Sequence, residues 1–254
     1  MELGRLVRHI VNFPALPELV WKNLKHLFAR NRSRPVRKRR SVPTAYFQAL
    51  YANDPDPWNY RTSAYEQEKY AATLAALPAP RFRRGFDIGC SVGVLTQRLA
   101  DRCDQLLAVD IVETALAQAR EACRRQPHVA FALMRIPEEW PDGRFDLIMI
   151  SEVLSYLEPA DVRRTAAACR RSLAPNGTIL LVNWLASTRR PSYADEAVTL
   201  FCAAMGGRCR SENRFRSELY RLDVLRAVEW HRRPVYAVRS RVYDVINGIT
   251  ARCR

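Results

Sequence analysis

The chain has 254 residues, 48% of them hydrophobic, which is enough for one α/β domain with a full-sized core. Its formal net charge is +15. Residues 1–41 hold 11 Lys and Arg against 2 Asp and Glu, and residues 208–254 hold 12 against 5, so the basic residues concentrate at the two ends. These numbers exclude a disordered or collagen-like chain.

Cysteine spacing and hydropathy further narrow the class of protein to which the chain can belong. The seven Cys show no C-x-x-C pair, which argues against a zinc site or a disulfide framework and favours reduced thiols in the cytoplasm. No apolar run is long enough for a membrane-spanning helix, and the N-terminus lacks the pattern of a secretory signal.

The first 41 residues combine an amphipathic segment with a basic linker. Apolar residues of the stretch 1–29 share one face at helical spacing, while Trp21 and several basic residues lie near or opposite it. This pattern fits a helix packed on the main domain or a helix lying on a membrane surface. Residues 30–41 are a charged tether. We therefore divide the chain into this extension over 1–41, a main domain over 42–226 and a basic tail over 227–254.

The main domain begins with a helical cap over 42–80, interrupted by Asp-Pro-Asp-Pro at 54–57. From residue 84 onward, strand and helix patterns alternate, which predicts a doubly wound, mostly parallel sheet with helices on both faces. The expected strands are 85–90, 105–110, 129–134, 146–151, 178–183 and 219–225, and the expected helices are 93–101, 113–125, 160–173 and 193–205. Ligands of such sheets bind beyond the carboxyl ends of the strands.

The first strand ends in Asp87-Ile-Gly-Cys-Ser-Val-Gly93. Gly89 and Gly93 allow a tight turn and a close approach of a ligand to the backbone, although a tight strand-to-helix turn needs no ligand. The third glycine of a dinucleotide-binding loop is missing, which disfavours a pyrophosphate ligand.

Acidic and polar residues end two further strands. Asp110 follows Gly89 by 21 residues, a distance that suits the two hydroxyls of a ribose, although Asp110 could also begin the next helix. Ser151 and Glu152 end the apolar run of the fourth strand, which predicts that they face the ligand.

Four segments together resemble class I S-adenosylmethionine-dependent methyltransferases: residues 87–93, Ala108-Val-Asp110, Phe145-Asp-Leu-Ile148 and Leu173-Ala-Pro-Asn-Gly177. The resemblance implies a seven-stranded Rossmann-like sheet and S-adenosylmethionine as the cofactor, without a metal. It also implies that Asp87, Gly89 and Gly93 flank the methionine part of the cofactor and that Asp110 binds its ribose.

A narrower resemblance points to the NodS family of nodulation N-methyltransferases. It is carried by Asp56-Pro-Trp58, by Ser63-Ala-Tyr-Glu66 with Lys69, and by Ser151-Glu-Val-Leu-Ser-Tyr-Leu157. The family methylates the free amine of a deacetylated chitin oligosaccharide, so the resemblance implies a small or glycan-like acceptor and N-methylation of an amino sugar. Two positions depart from the usual pattern. Arg135 replaces an Asp near the adenine, which would leave that contact to the backbone of Arg135 and Ile136, and Ser91 replaces a glycine.

Candidate site residues follow from these motifs. Those expected at the cofactor are Trp58, Tyr65, Lys69, Asp87, Gly89, Cys90, Ser91, Gly93, Asp110, Ile111, Arg135, Ile136, Ser151 and Glu152. Glu152 and Tyr156 are the candidates to orient the acceptor, because a spacing of four residues places them on one face of a helix. The competing interpretations are structural: an ion pair of Lys69 with Glu66, a helix start at Glu152, and packing for the aromatic rings.

Other functions stay open. No histidine falls at a predicted site position, which favours an amine acceptor over a hydroxyl that needs a general base. An O-methyltransferase of a lipid or natural product is the alternative within the enzyme class. The net charge also permits nucleic-acid binding, which the lack of an aromatic stacking platform disfavours, and peripheral membrane contact through residues 1–29.

Overall fold

The computed structural model describes residues 40–185 and 192–228. The predicted amphipathic segment 1–29, most of the basic linker and the tail beyond residue 228 lie outside the described residues. Their expected roles stay predictions.

The described part is an alternation of helices and strands. Its helices are α1 (Thr44–Asn53), α2 (Ala64–Ala75), α3 (Val94–Ala100), α4 (Glu113–Ala122), α5 (Pro159–Ser172) and α6 (Ser192–Met205). Its strands are β1 (Phe82–Ile88), β2 (Cys103–Asp110), β3 (Val129–Leu133), β4 (Phe145–Ser151), β5 (Leu173–Trp184), β6 (Cys209–Arg216) and β7 (Tyr220–Ala227). The interruption predicted at 54–57 separates α1 from α2, as expected.

The strands form one seven-stranded sheet in the order β3-β2-β1-β4-β5-β7-β6. The first five strands of that order run parallel, whereas β7 is antiparallel to both β5 and β6. The prediction of a doubly wound, mostly parallel sheet is confirmed. The strand order reverses between β1 and β4, so the crevice that such folds use for ligands opens beyond the carboxyl ends of these two strands.

Sequence reasoning missed β6, the edge strand. Its residues read Cys-Arg-Ser-Glu-Asn-Arg-Phe-Arg, with seven of the eight exposed, and therefore lack the apolar alternation that identifies a strand. Charged side chains suit this position, because they keep an open sheet edge from pairing with another chain.

Two apolar layers cover the sheet. Ile148 and Ile150 of β4 face a layer built by α5 and α6, while Leu147 and Met149 face the layer that contains α2 and α3. All four side chains are fully buried. A central parallel strand is buried on both faces, which explains why β4 reads as an uninterrupted apolar run.

No helix in the described ranges, 40–185 and 192–228, is long and apolar enough to cross a membrane.

Candidate functional site

Two adjoining cavities lie beyond the carboxyl ends of β1, β2 and β4. The main cavity lies between two walls. One, which we call the sheet wall, consists of the strand ends and the turns that follow them. It is formed by Gly89, Ser91, Asp110, Ile111, Met134, Arg135, Ile136, Ser151, Glu152, Val153, Tyr156 and Leu157. The other wall, which we call the cap wall, is formed by Ser41, Val42, Phe47, Tyr51, Trp58 and Tyr60. A small cavity next to it is lined by Glu66, Lys69, Tyr70, Asp87 and Cys90, and shares Tyr60, Gly89, Ser91, Ser151 and Glu152 with the main one.

The loop between β1 and α3 turns through left-handed backbone conformations. Gly89 has a φ of +85°, and a Cβ built there would lie 2.5 Å from Val153 Cγ2 and 2.8 Å from the Ser151 carbonyl oxygen. Ser91 has a φ of +49°, which is unusual for a side chain with a Cβ. Its backbone N–H donates to Asp110 Oδ2, and its hydroxyl lies 2.5 Å from the Tyr51 hydroxyl. These bonds hold a serine in the conformation for which related loops use glycine.

Gly93, expected beside the cofactor, lines neither cavity. It has a φ of +82°, and a Cβ there would lie 2.7 Å from Ala119 Cα. Gly93 therefore allows the start of α3 to pack closely against α4. It supports the loop through this packing.

Asp110 ends β2 on the wall of the main cavity. Its Oδ2 accepts the Ser91 N–H at 2.9 Å, and its Oδ1 accepts the Val112 N–H at 3.0 Å. Burial raises the pKa of this carboxyl, and the backbone N–H bonds oppose that rise. Because a carboxylate can accept about four hydrogen bonds, Asp110 still has acceptor sites for a pair of hydroxyls.

Asp87 and Cys90 lie deeper, on the small cavity. Asp87 is fully buried and accepts a 2.7 Å hydrogen bond from the Thr96 hydroxyl. Burial raises its pKa to about 6, although the bond from Thr96 works against the shift. Burial likewise raises the pKa of the Cys90 thiol well above its usual range, so this cysteine is a packed thiol rather than a reactive thiolate.

The Asp-Pro-Trp segment builds much of the cap wall. The Asp56 carboxylate accepts the backbone N–H groups of Tyr60 and Arg61, each at 3.0 Å, and so fixes the turn that carries Trp58. The Trp58 ring stacks on Tyr60 and meets Tyr51 edge-on. The sequence motif is therefore a turn that positions three aromatic rings over the main cavity.

The start of the cap wall is fastened across the cavity to the segment after β4. The Val42 N–H donates to the Tyr156 carbonyl oxygen at 2.9 Å, and the Ser41 hydroxyl donates to Asp161 at 2.5 Å. Phe47 packs edge-on against the Tyr156 ring. One end of the main cavity is thereby closed by residues 41–47.

Lys69, Glu66 and Glu152 form a buried ionic cluster. Lys69 Nζ lies 2.8 Å from Glu152 Oε1 and 2.9 Å from both carboxylate oxygens of Glu66. The other oxygen of Glu152 accepts the Trp184 N–H at 2.7 Å. Burial lowers the pKa of Lys69, but the two carboxylates outweigh it and the net shift is upward. The expected pair of Lys69 with Glu66 is present, and Glu152 makes it a triad.

The helical geometry expected for Glu152 and Tyr156 is wrong. Glu152 has a φ of +58°, and only a single 3-10 turn, Leu154–Tyr156, follows it. Both residues nevertheless line the main cavity. Tyr65, another predicted site residue, lines neither cavity. Its ring lies edge-on to Tyr220, and its buried hydroxyl has no partner among the described residues.

Arg135 and Ile136, the residues expected at the adenine, both line the main cavity. The Arg135 N–H donates to the Glu139 carboxylate at 2.6 Å, and its guanidinium donates to the Thr44 hydroxyl. The Arg135 N–H is therefore already used, which leaves Ile136 as the backbone donor of this pair.

Sequence reasoning missed most of the cap wall. Phe47, Tyr51 and Tyr60 carry no motif of their own, and a cavity-facing ring has the same sequence pattern as one packed in a helical cap. The available signal was their spacing around Asp56-Pro-Trp58, which is the turn that brings Trp58 against both Tyr51 and Tyr60.

The chemistry of the lining residues fits S-adenosylmethionine. The two cavities share Gly89, Ser91, Ser151 and Glu152 in their linings, so they adjoin, as a ligand with a nucleoside at one end and an amino acid at the other requires. Asp110 offers carboxylate oxygens to the ribose in the main cavity. Asp87 and Lys69 offer an anion and a cation to the ammonium and carboxylate of the methionine in the small cavity.

Comparison with known proteins leads to one family. Residues 48–184 match the family model of nodulation protein S, NodS. Nodulation protein S of Sinorhizobium fredii is 31% identical over 148 residues, covering 57% of this chain and 68% of that protein. A homologue from Bradyrhizobium diazoefficiens is 33% identical over 135 residues, covering 49% and 61%. The chain thus spans about two thirds of the length of these curated relatives.

Solved structures agree with this assignment. The N-methyltransferase NodS from Bradyrhizobium japonicum WM9, crystallised with S-adenosyl-L-homocysteine, superimposes with a TM-score of 0.65 at 26% identity, covering 73% of this chain and 98% of that one. A methyltransferase structure from Pseudomonas syringae gives 0.58 at 34% identity, covering 65% and 99%. The chain therefore belongs to the NodS family and is a class I S-adenosylmethionine-dependent methyltransferase.

Proposed function

We propose that the protein transfers the methyl group of S-adenosylmethionine to the free amine of an amino sugar in a glycan-like acceptor. The observation that carries this proposal is the charge of the site. Six carboxylates line the two cavities, Glu66, Asp87, Asp110, Glu138, Glu152 and Asp161, against two cations, Lys69 and Arg135. An acidic site in a chain of net charge +15 favours cationic ligands, here a sulfonium and an ammonium.

The carboxylates differ in how far they are neutralised. Glu138 and Asp161 both pair with Arg164, at 2.9 and 2.8 Å. Glu66 and Glu152 both pair with Lys69, at 2.9 and 2.8 Å, whereas Asp87 and Asp110 accept hydrogen bonds from the Thr96 hydroxyl and the Ser91 N–H. The negative charge that is less compensated by cations therefore lies at Asp87 and Asp110, one on each cavity.

The lining also lacks the usual base for a hydroxyl acceptor. Among the described residues that line the two cavities, none is a histidine. His128 directly precedes β3, at the amino ends of the parallel strands and away from the cavities, and its ring hydrogen-bonds to the Ala100 carbonyl oxygen. A hydroxyl acceptor needs a base to activate it, whereas an amine needs only to lose the proton of its ammonium form.

Each residue of the site takes a role in this proposal. Asp110 and Ile111 hold the ribose, Ile136 contacts the adenine, and Arg135 fixes the cap through Thr44. The loop at Gly89, Cys90 and Ser91, together with Asp87, Lys69 and Ser151, surrounds the methionine part. Glu152 orients the acceptor nitrogen, Tyr156 closes the adenine end with Phe47, and Trp58 offers a ring face to the ligand. When bound, the cofactor supplies an electrophilic methyl group; the protein aligns a nitrogen lone pair with it and excludes water.

The matched substrates for a test differ only in the amine. Purified protein is incubated with S-adenosylmethionine and either a fully deacetylated chitin tetramer or the same tetramer fully N-acetylated, and the products are weighed by mass spectrometry. We expect a gain of one CH2 on the deacetylated tetramer alone. Equal labelling of both would place the methyl group on oxygen. Calorimetry with S-adenosylhomocysteine separates a wrong acceptor, where binding is retained, from a wrong cofactor site, where it is not.

O-methylation is the second candidate, because the chain is also similar to an O-methyltransferase. The ubiquinone biosynthesis O-methyltransferase of Methylococcus capsulatus is 34% identical over 102 residues, covering 38% of this chain and 41% of that protein. A dihydroxylated aromatic compound belongs in the same assay. Methylation of that compound, and of neither tetramer, would establish this candidate in place of the amine.

We also propose that residues 1–29 contact an anionic membrane surface. Ser41, where this basic extension joins the domain, lines the main cavity. Val228, where the basic tail begins, lies beside Arg208 at the amino ends of the parallel strands, away from the cavities. The two basic segments start far apart, which disfavours a single nucleic-acid-binding patch. Co-sedimentation with anionic vesicles, compared between the full chain and a chain lacking residues 1–29, tests this contact; equal sedimentation would rule it out.

A further inference from the structure

We propose that Glu66 is the proton acceptor of the reaction and that Lys69 relays the proton to it from Glu152. This inference rests on the proposed amine acceptor. An amine that arrives as an ammonium has no lone pair for the attack on the methyl group. One proton must leave it first, and the site must hold that proton away from the reacting nitrogen.

The geometry provides a continuous path. Glu152 lines both cavities and lies 2.8 Å from Lys69 Nζ, which in turn lies 2.9 Å from Glu66 Oε1. The Lys69 side chain is only 2% exposed and that of Glu66 10%, while 18% of the Glu152 side chain is exposed. The path therefore runs from a carboxylate at the cavity surface to one that is shielded from solvent.

Two protons move along this path and one is transferred in net. The acceptor ammonium gives a proton to Glu152. Lys69 then takes that proton while giving one of its own to Glu66, which leaves Glu152 ionised and Glu66 neutral. The freed nitrogen lone pair forms the N–C bond, the S–C bond breaks, and its electron pair stays on sulfur. Glu66 returns its proton to water before the next turnover.

The surroundings of Glu66 suit this role. Burial raises the pKa of this carboxyl, with a further rise from Glu152, while the charge and hydrogen bond of Lys69 lower it. The other titratable groups near it are the hydroxyls of Tyr60, Tyr65 and Tyr70 and the carboxyl of Asp87. Burial raises the pKa of all three hydroxyls, so they stay neutral. Glu66 is thus the carboxylate of α2 that lines the small cavity and can take the proton there, whereas Glu68 on the same helix is exposed to solvent.

A purely structural cluster would behave differently in one measurable respect. If Glu66 only anchors Lys69, its loss lowers the rate by the same factor at every pH. If Glu66 accepts the proton, its loss matters while the acceptor is an ammonium, and stops mattering once the acceptor is already a free amine in solution.

The test is the pH profile of kcat with the deacetylated chitin tetramer, for the wild type, Glu66→Gln and Glu68→Gln. Glu68 lies on the same helix with an exposed side chain, so its substitution is the matched control. For Glu66→Gln we expect kcat to fall about 100-fold near neutral pH and to come within about threefold of wild type above the pKa of the acceptor amine. Glu68→Gln keeps the wild-type profile.

Lys69→Arg distinguishes a proton relay through Lys69 from a role in which Lys69 only positions the two carboxylates. Arginine can pair with both carboxylates but does not give up a proton in proteins, so the pH-dependent loss should match that of Glu66→Gln. Circular dichroism verifies that each variant is folded. A pH-independent loss in Glu66→Gln, or a wild-type profile in Lys69→Arg, overturns the relay. Failure of the wild type to methylate the tetramer instead overturns the amine acceptor itself.

Discussion

The two walls of the main cavity differ in how they are built. The sheet wall is made of strand ends and tight turns whose positions are fixed by backbone pairing, with Gly89 and Asp110 as its main determinants. The cap wall consists of side chains, mostly aromatic, carried by α1 and the turn at Asp56. We infer that the first wall sets which cofactor binds and the second adjusts access and affinity. Substitutions in the sheet wall should therefore have the larger effects.

Gly89→Ala is expected to have the largest effect. The new Cβ would lie 2.5 Å from Val153 Cγ2 and 2.8 Å from the Ser151 carbonyl oxygen, in a left-handed backbone conformation. Overpacking and backbone strain together should lower the free energy of unfolding by about 4 kcal/mol, measured by urea denaturation. Gly206 is the control, because it is also left-handed at φ +58° but meets no described atom within 4 Å. Gly206→Ala should cost about 1 kcal/mol, and equal losses would refute the steric role of Gly89.

Asp110→Ala tests whether the sheet wall binds the ribose. Loss of the carboxylate removes its hydrogen bonds to ribose hydroxyls and releases the Ser91 N–H, so the Kd for S-adenosylhomocysteine should rise about 100-fold, or about 3 kcal/mol. Calorimetry measures this. Asp104→Ala, on the exposed part of the same strand, should leave the Kd unchanged. A Kd that rises less than about threefold in Asp110→Ala would remove the ribose from this end of β2.

The same contrast explains what could be predicted from the sequence. β4 and the loop at Gly89 follow local rules, apolar runs and turn residues, and these were foreseen. The contact of Lys69 with Glu152 joins residues 83 positions apart, and no local pattern encodes it. The left-handed turn at Glu152 was read as helix because its neighbours, Val-Leu-Ser-Tyr-Leu, have helical spacing. β6 was missed because an edge strand needs no apolar face.

Asp87→Asn tests whether the buried carboxylate near the end of β1 destabilises the folded protein. The folded-state pKa of Asp87, about 6, lies above its ordinary value of 3.8. The folded state therefore binds an extra proton between these values, and the stability that this gives is lost as the pH rises through about 6. Without ligand, the asparagine variant should be more stable than wild type by about 3 kcal/mol near pH 7, and about equally stable near pH 3, below the ordinary pKa of the carboxyl. Urea denaturation at both pH values measures the difference. A difference that does not change with pH would mean that Asp87 is not destabilised by its charge.

Tyr51→Phe should have the smallest effect, and it probes the point where the two walls meet. The variant removes the hydroxyl that lies 2.5 Å from Ser91 Oγ, the side chain of the strained loop residue at φ +49°. We expect a loss of about 1 kcal/mol in stability, accompanied by weaker binding of S-adenosylhomocysteine because the loop is held less firmly. Tyr46→Phe removes the same group from another tyrosine of α1 and serves as the control.

A double-mutant cycle with Ser91→Ala decides how far the cap wall is independent of the sheet wall. Because Tyr51 and Ser91 bond each other, the double variant should lose about 1 kcal/mol less than the sum of the single losses. Additive losses in stability would show that the hydroxyl contact contributes nothing. Coupling in stability without coupling in the Kd would mean that the cap braces the loop in the free protein only. Coupling in both would make Tyr51 part of the cofactor site, although it lies on α1, outside every cofactor motif of the sequence.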